Sequence, residues 1–294
     1  MRRATNDCYT LPAHDTRMIV TEAGDRYRFV TQPAHAALSG RFARHWGGDG
    51  FAPPTPRHST VVAAEAHDQG WSDYDLRPRL DGGEPIGFVE SDGEDWVEFY
   101  AHGVEVVAEI DPYAGLLTSM HASGLRRGGY GVRTAILDLS DRPPFEAFVD
   151  DQEAFQRETA TRLAAEDGGR VGEDECELLE ALHADGTAPL GAIRLALWRN
   201  YLLLQALDSL SLYVCNSARF EESTLGPVPT EGGETTTVEV TPVGPATLRL
   251  DPYPFDVDAL AATVPRRVVP ADADDLVEAF YAADVRRFEV TFVP

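Results

Sequence analysis

LGAIRLALWRNYLLLQALDSLSLYVCN, residues 190–216, is the stretch of sequence around which we expect the fold to form. Wound into a helix, it is apolar on nearly every side. A helix without a polar face belongs in the interior of a protein, because no side of it prefers water. The stretch therefore predicts a long central helix, with the other elements packed around it.

Asp208 lies in the middle of this predicted helix, on a face that is otherwise apolar. An ionised carboxylate in the interior is costly, so it binds a cation or takes up a proton. The chain contains no lysine, and Arg194 and Arg199 lie nearer the start of the helix, away from the Asp208 face. A metal ion is therefore favoured as the partner of Asp208. The alternatives are an arginine from another helix, or a protonated Asp208 that is bonded to a tyrosine or to Gln205.

Two shorter helices before it also carry ionisable residues. One begins at Pro33, in the position that proline favours in a first helical turn, and places His35 on its apolar face. The other has Ser59 as its predicted N-cap and runs to about Gln69, so that His67 and Asp68 fall in its last turn. A second His-Asp pair at residues 14–15 shows that the dipeptide alone carries little information. Its position at a helix end is what distinguishes the pair at 67–68.

A further helix is predicted in DPYAGLLTSMHASG, where Asp111 is the expected cap and Gly124 the expected end. His121 lies one turn after Leu117 on an apolar face of that helix. A lone histidine in such a position is more often a core residue than a ligand. The interest lies in the combination, because His35, His121 and Asp208 come from three helices other than the one that ends in His67-Asp68. His102, on a mixed face, is the weaker candidate.

The rest of the chain predicts two acidic helices, near residues 145–166 and 173–184, followed by a β-rich end. TTTVEVT, ATLRLD and RRFEVTFV alternate as strands do, and MIVTEAGDRYRFVTQ alternates as a β-hairpin near the start. We therefore expect an α+β fold that is mainly α, with a small β-sheet formed by the C-terminal segment and possibly joined by the N-terminal hairpin. The expected divisions are a polar extension over 1–17, a helical core over 18–225 and a β-rich segment over 226–294.

The amino-acid composition indicates the environment of the protein and disfavours some classes of partner. The net charge is −24, from 49 acidic residues against 25 basic ones that are all arginine. Such self-repulsion is tolerated where salt screens it, which predicts a halophile's cytoplasmic protein. The same charge disfavours duplex nucleic acid and anionic membranes as partners. Cys8, Cys176 and Cys215 are too few and too scattered for a disulfide framework, and neither a signal peptide nor a membrane span is expected.

The order His35, His67-Asp68, Asp208 resembles the H…HD…D signature of the HD-domain metal-dependent phosphohydrolases. A sharper resemblance, carried by TQPAHAALSGRFARHWG, AAEAHDQGW, DPYAGLLTSMHASGL and LDSLSLYVC, is to domain-of-unknown-function family 3891, and it covers the chain from Met18 to its end.

The HD resemblance implies an HD-domain-like helical bundle that holds one or two divalent metal ions, of Mn, Fe, Zn or Ni. The implied metal ligands are His35, His67, Asp68, His121 and Asp208. Asp68 would bridge two ions, and His121 would serve the second. Asp68, His121 and Arg57 are the expected catalytic residues; Arg57, like His58 and Arg77, lies in a loop flanking the dyad helix, where it can contact phosphate or only the surface.

The leading expectation is a phosphohydrolase or phosphodiesterase acting on a small phosphorylated molecule, as a monomer or a homo-oligomer. In such a site a metal-bound water attacks phosphorus, and the protein supplies no covalent nucleophile. One alternative is a dinuclear-iron oxygenase of the same superfamily, whose pattern adds two histidines that His102 and His121 would provide. Another is a non-catalytic protein in which a metal or a polar cluster stabilises the helices. Trp71 and Asp73 either line the pocket or, for Trp71, close the helix end as a core residue.

Overall fold

A long helix, Ala196–Asn216, forms the buried centre of the structure, as its sequence predicts. It begins later than expected, because Ala192–Arg194 forms a separate 3-10 turn before it. The computed structural model describes residues 18–86, 93–132, 143–166 and 169–294, so the predicted extension over 1–17 lies outside the described residues.

Eight helices are numbered here in chain order among the described residues. They are α1 Gln32–His45, α2 Arg57–Ala66, α3 Gly93–Ile110, α4 Pro112–Gly124, α5 Pro143–Ala164, α6 Glu173–Asp185, α7 Ala196–Asn216 and α8 Leu276–Ala282. Helices α1, α2 and α4 pack directly against α7. This packing brings the helices with candidate residues onto one central element.

The strands form one large sheet and one small hairpin. They are β1 Ile19–Glu22, β2 Arg26–Val30, β3 Arg79–Asp81, β4 Glu84–Ile86, β5 Ser223–Pro229, β6 Thr235–Gly244, β7 Thr247–Asp251, β8 Leu260–Pro270 and β9 Arg286–Val293. The large sheet has the order β1-β2-β8-β9-β7-β6-β5, while β3 and β4 pair with each other. Neighbouring strands of the large sheet run antiparallel, except for β7 and β9, which run parallel. One face of the sheet packs on the helices and contributes Val30, Leu248, Leu260 and Phe292 to the main core.

The expectation of a mainly helical bundle with a small sheet is wrong. About half of the structure is helical, 23% is strand, and the large sheet is a curled, mixed sheet of seven strands. Two strands of this sheet, β5 and β8, could not be recognised from their sequences, for a physical reason. Strand β5 contains Gly226-Pro227, which is typical of a linker, and β8 carries alanines, prolines and arginines in place of a clear apolar alternation. The N-terminal hairpin does join the sheet, through the pairing of β2 with β8.

Helix ends show one correct and one wrong prediction. Asp111 caps α4 as expected, because its side chain accepts hydrogen bonds from the backbone of Tyr113 and Ala114. Ser59 does not cap α2, which begins at Arg57 after Pro56. The Ser59 hydroxyl instead donates to Asp111, with an oxygen to oxygen distance of 3.0 Å, and so ties α2 to the start of α4.

Gly70 follows the end of α2 and packs against α3, a helix that the sequence patterns did not predict. A Cβ atom built on Gly70 would lie 1.9 Å from the carbonyl oxygen of Phe99. Gly103, one turn later on α3, is also close, since a Cβ atom built on it would lie 3.0 Å from the Gly70 nitrogen. Gly70 is therefore required by the close contact between two backbones. The contact fixes the turn that carries His67 and Asp68.

We expect Gly70→Ala to lower the free energy of unfolding by about 2 kcal/mol or more, because the new methyl group must push α3 away. Gly232→Ala is the matched control: it is exposed, and its added Cβ would have no atom closer than 3.9 Å. That variant should remain within about 0.5 kcal/mol of the wild type. Urea unfolding of the three proteins measures this, and equal stabilities would contradict the close approach.

A polar network joins α4, α5 and α6. Arg157 donates to Nδ1 of His183, so the neutral ring carries its proton on Nε2 and donates it to Gln156, each over 2.9 Å. Gln156 in turn donates to Ser119 and Ser123 on α4. Burial and the nearby arginines lower the pKa of His183 to about 4. His183 is therefore neutral in the folded protein at neutral pH.

Because its pKa is lower in the folded chain than the usual 6.5, His183 stabilises the fold above pH 6.5 and loses that contribution as the pH falls toward 4. We expect His183→Gln to lose less stability than the wild type between pH 7 and about pH 4.5. His102→Gln, at an exposed position on α3, should follow the wild type. Thermal unfolding across this range measures the difference. Identical slopes for His183→Gln and the wild type would show that the histidine does not titrate in this way.

Candidate metal centre

Five side chains from four helical segments meet in the interior. His35 lies on α1, His121 on α4 and Asp208 on α7. His67 and Asp68 directly follow α2, which ends at Ala66, and so lie just beyond the helical turn that the sequence predicts for them. None of the five side chains is more than 5% exposed. Two triads can each hold a metal ion, namely His35, His67 and Asp68, and His67, His121 and Asp208, with ligand atoms within 4.8 Å of one another. His67 belongs to both triads and is the centre of the cluster.

The orientation of the His67 ring is fixed by the backbone. Its Nδ1 lies 3.0 Å from the carbonyl oxygen of Ala64, which can only accept, so the proton is on Nδ1. Its Nε2 faces the carboxylates, 3.4 Å from Oδ1 of Asp208 and 3.7 Å from Oδ2 of Asp68. This buried Nε2 has no hydrogen bond of normal geometry with the described residues. A ring held by a carbonyl at Nδ1, with Nε2 turned inward, is the usual arrangement of a metal-binding histidine.

His35 is held from both sides. Its Nε2 lies 2.7 Å from Oδ2 of Asp68, and its Nδ1 lies 2.8 Å from the hydroxyl of Ser211. Ser211 donates its own proton to the carbonyl of Asp208, so its oxygen accepts from His35 and from Ser39. The two serines therefore direct the His35 ring so that Nε2 points at Asp68.

His121 completes the cluster from α4. The side-chain amide of Gln205 lies 2.8 Å from its Nδ1. The contacting atom is the amide nitrogen, which donates, so Nδ1 accepts and the neutral ring carries its proton on Nε2. A metal ion bound at this Nε2 would displace that proton. The His121 ring packs edge-on against His67, with ring centres 5.0 Å apart.

The charges of the cluster depend on one another. Burial alone favours a neutral His67, but Asp68 and Asp208 raise its pKa to about 9. Burial likewise opposes ionisation of Asp208, and His67 overcomes this and holds the pKa of Asp208 below its usual range. The pKa of Asp68 is also lowered, against burial, by His67 and His35. Two ionised carboxylates in a dry interior therefore need positive charge beside them, which a divalent ion also provides.

Further polar groups border the cluster. Burial, together with Asp68 and Asp208, raises the pKa of Tyr100 well above its usual value, so its hydroxyl keeps its proton. Burial raises the pKa of Asp75 to about 8, although the carboxylate accepts the backbone N–H of Gln32 over 2.5 Å. The sequence patterns did not indicate either residue, because neither α3 nor the 3-10 turn of Tyr74–Leu76 was predicted.

Other candidate residues do not reach the cluster. Arg57 lies at the first turn of α2, about 15 Å of helix from His67, and donates to the carbonyl of Arg44. The prediction that Arg57 takes part in catalysis has no geometric support. Arg57 is close to the His67-Asp68 pair in sequence, but it lies at the start of α2, and the pair follows the other end of that helix. His102 is exposed on α3 and lies outside both triads. His58, Asp73 and Arg77 are exposed as well, and Trp71 is fully buried in a core cluster with Tyr100.

The cluster suits a metal ion by the chemistry of its donors. Imidazole nitrogens and carboxylate oxygens together favour Zn, Fe, Mn or Ni over the alkaline-earth ions. The orphaned His67 Nε2 and the buried Oδ1 of Asp68, which has no partner among the described residues, are the atoms that such an ion would satisfy.

The chain matches the family model described as "Protein of unknown function (DUF3891)" over residues 18–271, and it belongs to that family. No curated protein and no solved structure matches the chain. Within the described part of the chain, no helix combines the length and the apolar character needed to cross a membrane.

We expect Asp208→Asn and His67→Ala to lower the metal content of the purified protein, since each removes a ligand from the second triad. Asn is nearly the same size as Asp, so Asp208→Asn should remain folded in high salt. His102→Ala is the control, because it removes a histidine outside the cluster. Metal per chain, measured by mass spectrometry, gives the answer. Wild-type metal content in Asp208→Asn would place the ion elsewhere.

Proposed function

We propose that this protein binds one or two divalent metal ions at the histidine-aspartate cluster and uses them to hydrolyse a small phosphorylated molecule. The observation that carries the proposal is the convergence of His35, His67, Asp68 and Asp208 in one buried cluster. These are the residues whose order resembles the H…HD…D signature of HD-domain phosphohydrolases. The likeness proposed is one of the metal site, since the overall architecture here includes a large sheet.

The protein's own groups have separable roles in this proposal. Bound divalent ions supply an activated water and stabilise negative charge on a phosphoryl group. Asp68 belongs to the first triad, and its unpartnered Oδ1 can orient a water and accept its proton. Ser211 and Gln205 hold the rings of His35 and His121 in place. Tyr100, protonated beside Asp68, can donate a hydrogen bond to a carboxylate or to a phosphoryl oxygen.

The burial of the cluster favours a second candidate function. Structural metal sites are closed, with protein groups in every position, whereas catalytic sites keep one position open to substrate. With all five candidate ligands no more than 5% exposed, a metal ion that only stabilises the helices is also consistent with the geometry. The oxygenase reading gains no such support, because His102 lies outside the cluster.

An activity assay separates the two candidates. We expect the wild type, supplied with Mn, Fe, Zn or Ni, to hydrolyse a panel of p-nitrophenyl phosphate mono- and diesters. Asp68→Asn should lower the rate about a hundredfold or more, the scale expected on losing a group that handles protons. His102→Ala should keep the wild-type rate.

A protein that binds metal, unfolds more easily when a chelator removes it and hydrolyses none of the esters has a structural site. Equal rates in Asp68→Asn and the wild type would also overturn the proposed catalysis.

A further inference from the structure

Three arginines gather on one face of the large sheet, near the end of α7. Arg266 on β8 lies directly opposite Arg286 on β9. Arg28 on β2 lies opposite Val268, and Val268 is two residues after Arg266 on β8. Residues two apart on a strand share a face, as do directly opposed residues. Their Cβ atoms are therefore about 5 Å apart for the opposed pair and about 7–8 Å for the diagonal pair.

This cluster of cations is unusual in a chain whose net charge is −24. None of the three arginines forms an ion pair in the described part of the chain, although Asp and Glu outnumber Arg about two to one. Glu221 and Glu222, on the segment after α7, pair with none of the three. An acidic protein in which three neighbouring guanidinium groups lack carboxylates has an unbalanced positive site.

Two of the side chains are held in place. The Arg266 guanidinium lies over the ring of Phe288, 4.1 Å from its centre, and its buried Nε has no hydrogen-bond partner among the described residues. Arg28 donates through one nitrogen to the carbonyls of Ser217 and Ala218, just after α7. The partial negative charge of a helix end offsets at most about half of one positive charge.

The local energetics favour a bound anion. Burial and the Arg28 cation lower the pKa of Arg266, so its charge is destabilised where it stands. An anion bound beside Arg28 and Arg266 would offset the repulsion between these two cations and accept a hydrogen bond from the unpartnered Nε of Arg266. Guanidinium groups bind tetrahedral oxyanions through paired hydrogen bonds, which suits them to phosphate.

We propose that Arg28, Arg266 and Arg286 form a binding site for a phosphate-type oxyanion, separate from the histidine-aspartate cluster. The backbone supports the separation. Arg266 lies near Cys215, which is two turns, or about 10 Å, beyond Asp208 along α7. The site does not depend on the proposed hydrolysis.

Titration of the purified protein, whose metal content per chain has been measured, with inorganic phosphate at constant ionic strength tests this proposal. We expect a saturable rise in melting temperature, and a heat of binding by calorimetry, that chloride at the same ionic strength does not produce. Arg286→Gln and Arg266→Gln should each weaken phosphate binding about tenfold or more, as expected for a charge-assisted hydrogen bond.

Arg287→Gln is the matched control, with the same charge change on the same strand. Arg287 is exposed and, lying next to Arg286, points to the opposite face of the sheet. It should bind phosphate as the wild type does. Phosphate held at the metal cluster would persist in Arg286→Gln, so the arginine variants separate the two locations. Absence of saturable binding in the wild type, or an equal loss in Arg287→Gln, would overturn the proposal.

Discussion

Asp208 is a carboxylate that is 4% exposed in the middle of the central helix, and its charge has to be balanced from other helices. The balance comes from His67 and His35, with Asp68 adding a second negative charge to the same dry space. Each imidazole is also held by an uncharged group through Nδ1: the carbonyl of Ala64 for His67 and the hydroxyl of Ser211 for His35. The helices around α7 are therefore tied together by charge as well as by apolar packing.

The sheet and the helix ends support this arrangement from outside. The face of the sheet that bears Val30 and Phe292 packs into the same core as α1 and α7, the helices that carry His35 and Asp208. The close approach of Gly70 to α3 fixes the turn that follows Asp68. A cluster with distances near 3 Å needs both constraints, because a shift of one helix would separate its donors.

Much of the cluster could be anticipated from the sequence, because a buried Asp in an all-apolar helix is costly and its neighbours could be read from helical spacing. The supporting groups could not. Ser39 and Ser211 lie one turn after His35 and Asp208 on the same faces, a spacing that is a usable signal, but serines at that spacing are common. Arg57 was expected near the cluster because it is close to His67 in sequence, but α2 lies between the two residues and keeps them at its opposite ends. Strands β5 and β8 could not be predicted because their residues do not alternate clearly between apolar and polar. Pairing with neighbouring strands stabilises them.

We propose that the five buried side chains are metal ligands rather than a set of ion pairs. X-ray diffraction from crystals of the purified protein, recorded across the absorption edges of Mn, Fe, Ni and Zn, tests it most directly. We expect an anomalous peak at the cluster, with Nε2 of His67 and a carboxylate oxygen of Asp208 about 2.0–2.3 Å from the ion. A cluster without an anomalous scatterer at any of these edges, in which His67 keeps its contacts with Asp68 and Asp208, would contradict it.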